Sequence, residues 1–118
     1  MTVRRIVANI PTPDPDLWRA FYETLLDLKL VMDHGWIMTF ASEGMSAPQI
    51  SFASEGGSGS PVPDLSIEVD DVDEIHRRVV SAGFEIEYGL ADEPWGVRRF
   101  FVRDPFGRLV NILSHSAS

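Results

Sequence analysis

The chain has 118 residues, 44% hydrophobic and 24% charged, a balance typical of globular domains that excludes a wholly disordered chain. It has no cysteine, which removes disulfides, thiolate metal sites and a cysteine nucleophile together. Ten basic against eighteen acidic residues give a net charge of −8, which repels phosphate backbones and anionic membranes and favours a cationic or neutral small molecule as partner.

The opening residues Met1 to Arg5 lead into an apolar stretch broken by Asn9, Pro11 and Pro13, too short for a signal peptide or a membrane span. A soluble, cytoplasmic protein is expected. Residues 3–10 alternate as a strand, and Asp14-Pro15 then supplies an N-cap with proline at the first helical position. Leu17, Trp18, Phe21, Leu25 and Leu28 recur at helical spacing and predict an amphipathic helix over about 15–28, with Trp18 in a core or interface. Strand-like runs follow at about 29–33, 35–41 and 48–53. The glycine- and serine-rich stretch 54–60 reads as a flexible linker. Residues 64–69 alternate again, and Asp71-Val72-Asp73-Glu74 opens a second helix in the manner of a capping box. Its apolar face is Val72, Ile75 and Val79, and Gly83 stops it. Three further runs, at about 84–88, 97–103 and 109–114, include the turn Asp104-Pro105-Phe106-Gly107.

The order is βαβββ, twice. An offset of about 59 residues aligns Ile6 with Leu65, Ala8 with Ile67 and Ile10 with Val69. The organisation expected is a first module at 1–53, a linker at 54–63 and a second module at 64–118, within one structural domain. The fold class is α+β, with two βαβββ modules pairing into curved mixed sheets around a concave cup and helices on the convex face. Strand alternation puts Ile6, Ala8, Ile10, Leu65, Ile67 and Val69 under the helices, with Ile50, Phe52, Val110 and Ile112. It turns Arg5, Val7, Asn9, Asp64, Ser66 and Glu68 to the cup, with Gln49, Ser51, Leu109, Asn111 and Leu113.

With these elements placed, the chain resembles the vicinal oxygen chelate superfamily of glyoxalase I, extradiol dioxygenases and bleomycin-resistance proteins. The residues that carry the likeness are Phe21-Tyr22 with Leu25-Leu26, Val69-Asp70-Asp71-Val72-Asp73, and Arg103-Asp104-Pro105-Phe106-Gly107-Arg108-Leu109. The run from Glu93 to Phe101 looks most like the bleomycin-resistance branch. The resemblance covers almost the whole chain and is specific for the fold more than for a reaction. It implies metal ligands, usually His and Glu, on the first and last strand of each half, and a homodimer that builds two cups from both chains. The repeat maps the ligand positions onto Arg5, Ser51, Asp64 and Asn111, of which only Asp64 suits a divalent cation. No metal and no cofactor are expected.

The other candidates are weighed one by one. His76 is expected on the solvated side of the second helix, His115 in a fraying tail, and His34 in a turn. The acidic run Asp70, Asp71, Asp73, Glu74 is accounted for by the helix dipole. Lys29, the only lysine, has no context for a Schiff base, and no catalytic triad, Walker or GxGxxG motif appears. The ligand-binding residues expected are Asn9, Trp36, Ser51, Asp64, Glu68, Trp95, Arg98 and Asn111. Trp36 and Trp95 stack a flat ligand. Arg98, chosen over Arg99, faces the cup, and Glu68 meets Arg5, Arg98 or a cationic ligand. The expected function is metal-independent sequestration of a flat organic ligand or antibiotic in a Trp-lined cup at a dimer interface. The alternatives are a metal-dependent lyase or dioxygenase with atypical ligands, and a non-catalytic scaffold.

Overall fold

Alternating apolar residues, broken by Gly, Pro and Asp, divide the described residues into eight strands and two helical segments. The computed structural model describes residues 2–15, 19–42 and 49–115. The strands are β1 (Val3–Pro11), β2 (Lys29–Asp33), β3 (Ile37–Ala41), β4 (Gln49–Ala53), β5 (Leu65–Val69), β6 (Ile86–Asp92), β7 (Val97–Arg103) and β8 (Leu109–His115). The α-helix α1 spans Val72–Ala82, and a π-helical segment spans Ala20–Leu25. No described helix is long and apolar enough to cross a membrane. The chain forms two compact units, residues 7–62 and residues 1–6 with 63–118, so that β1 contributes to both.

In the N-terminal unit the strand order is β2-β3-β4-β1, with β1 parallel to β4 and the other pairs antiparallel. Met38, Phe40 and Phe52 form its core, with Tyr22, Leu28, Leu30 and Ile50 packed against them. Tyr22 lies with its ring centroid 4.9 Å from Phe52 and 6.3 Å from Phe40. The helical turn that delivers Tyr22 is wider than the α-helix expected. The Leu28 amide bonds the Tyr22 carbonyl at 3.0 Å. Leu17 and Trp18 lie outside the described residues. The segment expected to be a flexible linker closes on itself instead. Gly56 N–H donates to the Ser60 carbonyl at 2.8 Å, Ser60 N–H to Gly57 O at 3.0 Å, and Gly59 N–H to Glu55 Oε1 at 2.9 Å. Gly57, Ser58 and Gly59 all take positive φ, which glycine adopts at no steric cost.

In the C-terminal unit the N-terminal residues of β1 lie beside β5, and the order continues β5-β8-β7-β6. Strands β5 and β8 are parallel, and β8, β7 and β6 run antiparallel. The helix begins as its sequence requires, with Asp71 Oδ1 accepting the Glu74 amide at 3.1 Å. It ends at Gly83, in the left-handed region at φ 83°, where the amide reaches the Val79 and Val80 carbonyls. Ser114 ties β8 to the helix start, donating to Val69 O at 2.9 Å and accepting from Val72 N at 3.1 Å. Val69, Val72, Phe100, Val102, Val110 and Ile112 form the core beneath α1.

Two expectations change here. Ile6, Ile10 and Leu65 are expected under the helices, yet they are 60%, 38% and 36% exposed. Among the described residues, the π-helical segment packs over β3 and β4, and α1 over β7 and β8. His76 is half-buried rather than solvated, its ring edge-on to Phe100 at 4.9 Å.

Candidate functional site

The turn between β7 and β8 decides which side chains share a face. Asp104 Oδ1 accepts the amides of Phe106 and Arg108, both at 2.9 Å, and Gly107 takes φ 82°. This closes the hairpin on the pair Arg103 and Leu109, and the register then sets Phe101 opposite Asn111 and Arg99 opposite Leu113. The odd-numbered residues of both strands therefore lie on one face, away from α1. Arg98 takes the other side, the reverse of the expectation. Its guanidinium meets Asp73 of α1 at 3.0 Å and Asp92 at 3.1 Å. The hydrogen bond from Arg98 holds the Asp73 carboxyl below its usual range, and the same bond raises Arg98.

Arg99 is the residue that enters the face opposite the helix, and it is buried there. Its NH2 donates to Glu93 Oε2 at 2.9 Å, with 3% and 5% of the two side chains exposed. Three rings surround the guanidinium carbon, Phe101 at 4.8 Å, Trp95 at 4.9 Å and Tyr88 at 5.0 Å from their centroids. The Tyr88 hydroxyl donates to Glu93 Oε1 at 2.9 Å, so both carboxylate oxygens are engaged. Desolvated cation–π contacts contribute about 2 kcal/mol or more each, and offset part of the cost of burying the ion pair. Trp95 is thus held against the protein's own guanidinium.

Beside this box the face becomes neutral, then charged again. Asn111 and Ser66 stand opposite one another across β8 and β5, and Asn111 Nδ2 donates to Ser66 Oγ at 3.1 Å. The Asn111 Oδ1 is buried, with no hydrogen-bond partner among the described residues. Glu68 pairs across to Leu113, which separates it from Arg99. Its Oε1 lies 3.1 Å from Arg5 Nε and its Oε2 lies 3.0 Å from His115 Nδ1. Arg5 is among the partners expected for Glu68. His115, expected to fray, is instead the last residue of β8, paired with Val97.

The N-terminal unit carries its own polar row. Asn9 and Ser51 face each other across β1 and β4, both buried, and Ser51 Oγ bonds Thr39 Oγ1 at 2.7 Å. Trp36 is half-buried in the turn between β2 and β3, stacked on His34 at 6.1 Å, with Gly35 between them at φ 85°.

The four positions that the resemblance assigns to metal ligands do not fit a divalent cation. Arg5 brings a guanidinium already on Glu68, Ser51 a hydroxyl bonded to Thr39, and Asn111 an amide bonded to Ser66. Asp64 alone is a carboxylate. It is exposed, and its Oδ2 accepts the Leu109 amide at 3.0 Å, which fixes the start of β8. Among the described residues, no three His, Cys, Asp or Glu side chains gather in a way that could hold a metal ion. The acidic run before α1 is spent on Arg98, Arg77, Arg78 and the helix N-terminus.

A family model described as the Glyoxalase/Bleomycin resistance protein/Dioxygenase superfamily matches residues 4–112. The chain belongs to this superfamily. Solved structures repeat the glyoxalase-type fold at low identity. One described as an NAD-dependent benzaldehyde dehydrogenase from Legionella pneumophila is 19% identical with a TM-score of 0.76, over 95% of this chain and 100% of that one. A methylmalonyl-CoA epimerase from Streptomyces coelicolor, in complex with 2-nitronate-propionyl-CoA, is 16% identical with a TM-score of 0.72, over 98% and 100%. A glyoxalase/bleomycin resistance protein/dioxygenase superfamily member from Vibrio splendidus 12B01 is 18% identical with a TM-score of 0.64, over 96% and 99%. No curated protein matches the chain. At these identities the likeness concerns the fold alone.

Sequence reasoning missed Arg99, Glu93, Tyr88 and Phe101 as a group. The signal for Arg99 was present, because a hairpin closed by Arg103 and Leu109 gives Arg99 the same face as Asn111 and Leu113. The rest had none. Tyr88 arrives through register shifts on either side of it in β6, and Glu93 through the turn that follows.

Proposed function

We propose that this member of the glyoxalase/bleomycin resistance/dioxygenase superfamily is a metal-independent, homodimeric binding protein for a flat organic molecule, with antibiotic sequestration as one form. The observation that carries the reading is the chemistry at the family's ligand positions, a guanidinium, a hydroxyl, an amide and one exposed carboxylate. Such groups hydrogen-bond and orient a ligand, and they supply no imidazole and carboxylate set for Lewis-acid activation. Aromatic rings and buried polar side chains interleave on the sheet face opposite α1, the mixture by which small-molecule sites fix orientation.

The test is metal content of protein purified without an affinity tag, followed by calorimetric titration with Zn²⁺, Ni²⁺ and Mn²⁺. The expected result is no bound metal and no micromolar binding, with tryptophan quenching by at least one class of flat aromatic compound. Stoichiometric metal that is lost in Asp64→Ala would replace the proposal with a metalloenzyme.

A further inference from the structure

The groups around Arg99 make a receptor for a planar cation, and a side chain of the protein itself occupies it. Three rings form the walls at 4.8, 4.9 and 5.0 Å, and Glu93 supplies the counter-charge at 2.9 Å. The Tyr88 hydroxyl fixes the other carboxylate oxygen. A fold that only had to fill this space would do so at least as well with apolar side chains, because a buried ion pair is usually no more stabilising than apolar residues of equal volume.

The placement of the walls gives the box a door. Glu93 and Trp95 are two residues apart in the turn between β6 and β7, whereas Tyr88 and Phe101 are strand residues. That turn is closed by Glu93 N–H on the Val97 carbonyl at 2.7 Å and by Gly96 N–H on the Glu93 carbonyl at 3.2 Å, with Gly96 at φ 89°. A movement of this turn would withdraw the counter-charge and one wall together.

We propose that Tyr88, Glu93, Trp95 and Phe101 form a cation subsite in which Arg99 is the resting occupant, and that a planar amidinium or guanidinium group of the ligand takes its place. The proposal rests on reading this face as a receptor, and it names the chemistry of the ligand. An amidinium shares with guanidinium the flat stacking surface and the two-pronged fit to a carboxylate, which an ammonium lacks. Arg99, tethered beside the box at high effective concentration, displaces small stray cations. Only a ligand with further contacts on the face competes with it.

The experiment titrates benzamidinium, with benzoate in parallel, into wild-type protein, Arg99→Met and Arg99→Met/Glu93→Gln by calorimetry. Arg99→Met is expected to bind benzamidinium at least about tenfold more tightly than wild type, because the internal competitor is gone. The double variant is expected to lose that gain, and benzoate to bind none of the three. If Arg99→Met is too unstable to titrate, the readout becomes its Tm, raised by benzamidinium in the single variant and not in the double. Equal affinity in wild type and Arg99→Met, or a gain that survives Glu93→Gln, overturns the proposal. Benzoate binding that depends on Arg99 also overturns it, in favour of an anion site. The metal titration is independent of this result, so the failure of the box and the failure of the receptor reading are told apart.

Discussion

Arg98 and Arg99 are neighbours in β7, yet each guanidinium finds its carboxylate on a different side of the sheet. Arg98 reaches Asp73 on α1 at 3.0 Å, and Arg99 reaches Glu93 at 2.9 Å inside an aromatic box. The first pair is largely solvated and the second is almost wholly buried, so similar geometry carries very different energetic weight.

Breaking the buried pair from one side is expected to be costly. Arg99→Met or Glu93→Gln should each destabilise by about 3–5 kcal/mol, because the partner is left charged and desolvated. The double replacement Arg99→Met/Glu93→Leu should recover most of the loss. Urea unfolding of the three variants checks this, and additive losses in the double variant would sink the account.

Acid should weaken the start of α1 in a defined way. Asp73 is held low by the hydrogen bond from Arg98, Glu74 by that from Arg77, and Asp70 by the Thr2 amide. A carboxylate whose folded pKa is depressed contributes stability above its unfolded value, and loses it as pH falls through the folded one. The window thus lies below about pH 4. Thermal melts should show Asp73→Asn less stable than wild type at neutral pH, with the gap closing towards about pH 2. A gap independent of pH would contradict the assignment.

Gly56 is expected to resist any side chain. A Cβ there would run into the Pro61 carbonyl and the Ser60 hydroxyl, while one at Gly89 in β6 would meet open space. Gly56→Ala should cost about 1–3 kcal/mol, as overpacking does, and open the 54–60 turn to proteolysis. Gly89→Ala should stay within about 0.5 kcal/mol of wild type. Equal behaviour of the two variants would mean that the turn yields easily.

Asn111 carries a buried carbonyl that meets no donor among the described residues, so its amide is weak as a structural element. Asn111→Leu should change stability by less than about 1 kcal/mol, as the lost bond to Ser66 is set against relief of the buried oxygen. The same variant should lose affinity for any ligand that offers Asn111 a hydrogen-bond donor. A large fall in Tm would show that the Ser66 contact matters more than the orphaned oxygen.

Much of the fold was written in local chemistry. Asp71 and Gly83 bound α1 because capping depends on the few residues at each end. Period-two alternation found the described strands, although the run expected at 84–88 is displaced to Ile86–Asp92. The failures are non-local. The exposure of Ile6 and Ile10 depends on which strands a helix overlies, and alternation reports a face without reporting its cover. The self-bonding of residues 54–60 uses consecutive positive φ angles, which composition equates with flexibility. Asn9 and Ser51 in one unit, and Glu68 and Asn111 in the other, are buried or half-buried polar residues of the strands. The aromatic box was hidden because bulges in β6 and a turn bring its walls together.

The strand β1 has a consequence for anyone who would cut the protein in two. The repeat invites a cut in the 54–63 segment, but the compact units part between Ile6 and Val7, inside a strand. A C-terminal fragment starting at Asp64 would lack Arg5, leaving Glu68 with His115 as its remaining ionic neighbour, and would lack Thr2, whose amide holds Asp70. The N-terminal fragment would carry four strand residues with no sheet to join. A cut there leaves neither piece with its compact unit whole, and a split reporter built on this chain would be expected to report reassembly through its first six residues.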